Sequence, residues 1–196
     1  MSETHYDDEP YNPLLGRLRL AATALFVIAL LALASPNLIG VCIGAVIVAM
    51  GEAVRFWAAG HLFKTHQLIT SGPYRYTRNP LYLGRLLIFT GFCIMAVFPY
   101  YSNLVVLVLG WIYFFAVYLR RKERVEPARL QRYHGEAYDR YYQAVPALFP
   151  TLRPYADPSS GRWQVDRMLR NREYMMVIGL TLATLFLAWR ALGHGW

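Results

Sequence analysis

Leu38-Ile-Gly-Val-Cys-Ile-Gly-Ala-Val-Ile-Val-Ala-Met-Gly-Glu-Ala-Val-Arg-Phe-Trp-Ala-Ala59 is apolar along its length apart from Glu52 and Arg55. A helix needs about 20 such residues to cross a hydrocarbon core. Four further runs have a similar character: Leu18–Ala34, Leu81–Phe98, Asn103–Leu119 and Tyr174–Leu192. A chain in lipid must satisfy its own backbone hydrogen bonds, and no alternating barrel pattern is present, so the runs read as helices. The expectation is an all-α, polytopic membrane helical bundle of about five transmembrane helices. It forms one domain over residues 1–196. Leu18–Ala34 is short and only Ser35-Pro36-Asn37 follows it. An interfacial hairpin with the next run is the alternative there.

Composition agrees. The chain is 56% hydrophobic and only 16% charged, against about 25% charged for a soluble domain. In a soluble protein the net charge of +8 would suggest nucleic acid. Here the basic residues flank apolar runs and suit anionic headgroups, so the bilayer is the expected partner and nucleic acid is not. Cys42 and Cys93 both sit within apolar runs and form neither a disulfide framework nor a metal-ligand set. An acidic stretch, Glu3-Thr-His-Tyr-Asp-Asp-Glu9, precedes the first run, where a signal peptide would have a basic segment.

Lys and Arg set the orientation. They are absent from Ser35–Asn37 and Pro99–Ser102. They crowd the segments before the first run, after the second, and between the fourth and fifth. Those segments, and the N-terminus, are expected to be cytoplasmic.

Two of them carry the candidate chemistry. The first, His61–Gly84, has turn signals at Ser71-Gly72-Pro73 and Asn79-Pro80. Asn79 is disfavoured in a helix by the proline that follows, and Pro80 suits a first helical turn. Such a loop at a helix N-terminus can bind an anionic or zwitterionic group. The second is Arg120–Pro150; its stretch Arg120–Tyr142 reads as a helix that continues the fourth run along the surface, with Lys122 and Glu126 on one face. Pro146–Pro158 ends it, and Ser159-Ser160-Gly161 reads as a link.

Leu68-Ile-Thr-Ser-Gly-Pro-Tyr-Arg-Tyr-Thr-Arg-Asn-Pro-Leu-Tyr-Leu-Gly84 resembles the signature of the isoprenylcysteine carboxyl methyltransferase family, an Arg-His-Pro-x-Tyr-x-Gly core after a Ser-Gly-x-Tyr turn. Glu126, Leu130, Gly135-Glu-Ala-Tyr138, Tyr141, Val145-Pro146 and Pro150 resemble that family's C-terminal motif. The resemblance covers about residues 59–150, the expected catalytic core, and leaves 174–192 as an added span. It implies an integral membrane methyltransferase using S-adenosyl-L-methionine, held in a cytoplasmic pocket built by the loop between spans 2 and 3 and the helix after span 4. The implied cofactor contacts are His66, Gln67, Leu68, Ile69, Tyr74, Asn79, Pro80, Leu81, Tyr82 and Glu126. Lys122 takes the place of an arginine that helps to position substrate. The chain departs from the pattern at Asn79, where the motif has histidine, and at Glu126-Pro127, where it has paired glutamates.

The residue chemistry suits that cofactor. Glu126 can offset an ammonium, backbone N–H groups near Pro80 can receive a carboxylate, and Tyr74 and Tyr82 can pack on adenine or a sulfonium. A carboxylate or thiolate acceptor needs no general base; Arg78 or Lys122 would orient it. An amine or hydroxyl acceptor needs one, and Glu126 is the candidate. Glu52 and Arg55, as intramembrane charges, are expected to line the path of a lipid-like or prenylated acceptor, with a structural ion pair as the other reading. The alternative enzyme is an NADPH-dependent membrane reductase of the sterol reductase type, which has a similar Arg-x-Pro-x-Tyr-x-Gly string.

Overall fold

The computed structural model describes residues 18, 25, 28, 31–62, 68–156 and 161–194, without the side chains of 125, 126, 128, 129 and 194. Among the described residues every regular element is helical. Packing divides the chain into two units, Met1–Ala34 and Ser35–Trp196. In the first, residues 18, 25, 28 and 31–33 are helical. Ala34 is described and non-helical, and residues 19–24, 26–27 and 29–30 of the first expected span lie outside the described residues.

The second unit begins with α1, Leu38–His61, whose N-cap Asn37 accepts a hydrogen bond from Gly40 N–H at 2.8 Å. α2 is Pro80–Met95 and α3 is Ser102–Tyr113. α3 runs on through π-helical Phe114–Leu119 into α4, Arg120–His134. α5 is Glu136–Ala144, α6 is Val165–Arg170 and α7 is Glu173–Trp189. Among the described residues, three helices are long and apolar enough to cross a membrane: Leu38–His61, Pro99–Arg124 and Glu173–Gly193. The chain is a membrane protein. The run expected from Leu81 to Phe98 is a shorter helix of 16 residues, because the backbone leaves helical geometry at Ala96 and Pro99 follows.

α1 and α2 pack antiparallel through glycines. A Cβ on Gly44 would lie 2.4 Å from the Gly91 carbonyl oxygen, and one on Gly84 would lie 2.6 Å from that of Gly51. The two glycines are seven positions apart on each helix, so one close contact repeats along the seam. In lipid no hydrophobic force pulls helices together, and close backbone approach supplies dispersion contact instead. Where α2 turns into α3, buried Asn103 donates to Cys93 O at 2.9 Å and accepts from Phe98 N–H at 3.3 Å. That satisfies backbone groups left unpaired by the helix end.

Candidate functional site

The motif loop is anchored at its start by His61, the last residue of α1. Gly72 has φ +59°, and the His61 ring fills the space a Cβ there would need, 2.4 Å away. The ring Nδ1 is 3.1 Å from Ser71 Oγ. Gly72–Arg75 then forms one 3-10 turn, and Pro73 and Tyr74 are buried.

Beyond that turn the loop pairs with the segment that follows α5. Arg78 N–H donates to Pro146 O at 2.9 Å, Thr151 N–H to Tyr76 O at 3.0 Å, and Tyr155 N–H to Arg75 O at 3.0 Å. The Thr77 hydroxyl donates to Leu148 O at 2.8 Å, and the Tyr141 hydroxyl to Tyr74 O at 2.8 Å. The two motif segments thus run against each other, joined mainly through backbone groups. Burial pushes the Tyr138 phenol up to about 12 and raises those of Tyr74 and Tyr141 well above the ordinary range. All three therefore remain donors.

At the end of the loop Asn79 is the N-cap of α2, yet its side chain makes no capping bond. Its amide nitrogen donates instead to Glu123 Oε1 at 2.7 Å and to Ala147 O at 2.9 Å. Arg78 donates to Glu123 Oε2 at 2.5 Å and to Tyr142 O at 3.0 Å. Its guanidinium lies 3.6 Å from the centre of the Tyr142 ring. One carboxylate on α4 thereby holds two consecutive motif residues. Arg78 Nε is buried with no hydrogen-bond partner among the described residues.

Tyr82, one turn into α2, stacks on Tyr118 with centroids 4.7 Å apart. Lys122 Nζ lies 5.3 Å from the Tyr82 ring centre and the Arg85 guanidinium 5.6 Å away. Arg85 also donates to the Tyr118 hydroxyl. The π-helical turn Phe114–Leu119 carries both Phe114 and Tyr118 to this cluster, where a π-helix redirects side chains by one extra residue per turn.

The structure therefore brings Tyr74, Arg78, Asn79, Pro80, Tyr82 and Lys122 onto two facing segments. Leu68 packs on the Tyr138, Tyr141 and Val145 cluster. Pro80 is fully buried, and Ile69 and Leu81 are half-buried. His66, Gln67 and the Glu126 side chain lie outside the described residues. Sequence reasoning missed Glu123. Its signal was present: it precedes Glu126 by three positions on the same helix face.

Arg55 and Glu52 are engaged elsewhere. Arg55 donates to both carboxylate oxygens of Glu173, at 2.6 and 2.8 Å, and both side chains are buried. Glu52 Oε2 is 3.6 Å from Arg55 Nε. Glu52 also lines a mostly apolar groove of about 590 Å³ between α1 and α7, with Ala45, Ala49, Phe56, Thr181 and Thr184.

Residues 19–126, more than half of the chain, match the family model described as phospholipid methyltransferase. No curated protein and no solved structure matches the chain.

Proposed function

The chain belongs to the phospholipid methyltransferase family, and from that premise we propose that it transfers a methyl group from S-adenosyl-L-methionine to a membrane-embedded or amphiphilic acceptor, an isoprenylcysteine-like carboxylate or a lipid, at the cytoplasmic face. The observation that carries this reading is the pairing of the two motif segments, with Arg78 and Asn79 held on one α4 carboxylate.

The residues fit the cofactor. The unpartnered Arg78 Nε is a donor for a carboxylate. The Tyr82 and Tyr118 rings offer a flat face for adenine or a sulfonium. Glu126, one turn beyond Glu123 on α4, is assigned to the ammonium. His66, Gln67, Leu68, Ile69, Tyr74, Pro80 and Leu81 complete the proposed contacts. The bound cofactor supplies an electrophilic methyl on a sulfonium. The chain's part is to hold the acceptor in line with it and to exclude water, and for such displacements alignment supplies most of the rate. Lys122 is assigned to an anionic acceptor; with an amine or hydroxyl acceptor Glu126 takes the proton. The groove beside Glu52 is a route for the acceptor's apolar part from the bilayer.

A ligand that binds only the folded state raises its melting temperature. S-adenosyl-L-methionine at about 100 times its Kd is expected to stabilise the detergent-solubilised protein by about 2.7 kcal/mol, and NADPH at the same concentration by nothing measurable. Stabilisation by NADPH alone would replace methyl transfer with the reductase reading.

A further inference from the structure

α1 ends at His61, where Leu62 N–H closes on Ala59 O at 3.3 Å and the last carbonyls stay open to further donors. Residues 161–173 supply them. Gln164 N–H donates to Gly60 O at 3.0 Å, Asn171 Nδ2 to Ala59 O at 3.1 Å and Arg167 to His61 O at 3.4 Å. Trp163 Nε1 adds a bond to Phe56 O at 3.3 Å, and its ring lies where a Cβ on Gly60 would be, 1.9 Å away. The strap therefore fixes the last turn of α1 and, with it, the His61 ring that packs on Ser71 and Gly72.

The same strap ends at Glu173, which binds Arg55. The Arg55 stem packs on α2: a Cβ on Gly84 would lie 2.4 Å from Arg55 Cγ. Gly84 closes the motif string, two residues after Tyr82. So one segment holds the loop at both ends, through His61 where it begins and through Arg55 against Gly84 where it runs into α2. All of these strap residues lie beyond the family match, which stops at residue 126.

We propose that residues 161–173 are a positioning strap for the candidate cofactor site, with Arg55 and Glu173 as its positioning residues. For what is positioned, this rests on the cofactor reading above. The geometry itself makes a separate demand: loosening the strap must loosen residues 71–79.

The test uses the full chain in lipid nanodiscs, with hydrogen exchange of the 71–79 amides and binding of S-adenosyl-L-methionine measured side by side. Glu173→Gln is expected to speed exchange at 71–79 at least ten-fold and weaken binding at least ten-fold. Glu173→Asp, which keeps the charge, should fall between it and wild type. Unchanged exchange at 71–79 in Glu173→Gln overturns the proposal whatever binding does. Faster exchange there, with no binding even by wild type, upholds the strap and removes the cofactor reading. If Glu173→Gln does not fold, Asn171→Ala and Trp163→Phe carry the test: each removes one strap bond without stranding a buried charge, and unchanged exchange in both overturns it.

Discussion

Glu123→Ala is expected to destabilise the protein by about 2–3 kcal/mol and to weaken cofactor binding by more than ten-fold. The carboxylate accepts from Arg78 at 2.5 Å and from Asn79 at 2.7 Å. Removing it leaves a guanidinium whose side chain is 11% exposed without its counter-ion. Breaking a fully buried pair costs roughly 3–5 kcal/mol. The cost here is lower because Glu123 keeps 21% of its side-chain surface exposed and Arg78 retains Tyr142. Asn79 retains Ala147, so the loop should stay attached but lose its register on α4. Glu123→Gln keeps an acceptor for Asn79 and should lose about half as much. Equilibrium unfolding in mild detergent reads the stability, and a change below about 0.5 kcal/mol for Glu123→Ala would make the pair an ordinary surface contact.

Gly44→Val acts on the scaffold. Its Cβ would meet the Gly91 carbonyl oxygen at 2.4 Å and Met95 Cγ at 2.4 Å. A side chain could swing away, but a helix carbonyl cannot, so α1 and α2 must separate. We expect a loss of about 3 kcal/mol, the upper end of the overpacking range, and disturbed packing at Gly51 and Gly84 on the same seam. Gly179→Val on α7 is the control. Among the described residues, no heavy atom outside its own stretch of helix lies within 4 Å of the Cβ it would add, and its cost should stay within about 0.5 kcal/mol. Equal unfolding midpoints for the two variants would contradict the seam.

What was legible in the sequence follows from the range of each interaction. The helices could be read from the apolar runs, because lipid requires every spanning backbone to close its own hydrogen bonds. The motif loop was legible from Gly72, Pro73 and Asn79-Pro80, whose backbone preferences are local. Three features were not read. The π-helical turn Phe114–Leu119 leaves no mark in an apolar run. Glu123 was passed over for Glu126, because side-chain direction on a helix with two carboxylates is decided by what packs on it. The Arg55 and Glu173 pair spans 118 positions; Arg55 was legible as an intramembrane charge, but the nearest carboxylate in sequence is Glu52, and nothing local points to Glu173.

The most direct measurement is transfer of labelled methyl from S-adenosyl-L-methionine into a membrane lipid extract, with wild type and Glu126→Ala in parallel and the product identified by mass. A labelled, extractable amphiphile is expected with wild type and at least a hundred-fold less with Glu126→Ala. Equal labelling by both would remove Glu126 from the site. No labelled product from any extract, with wild-type cofactor binding intact, would contradict methyl transfer to a membrane acceptor.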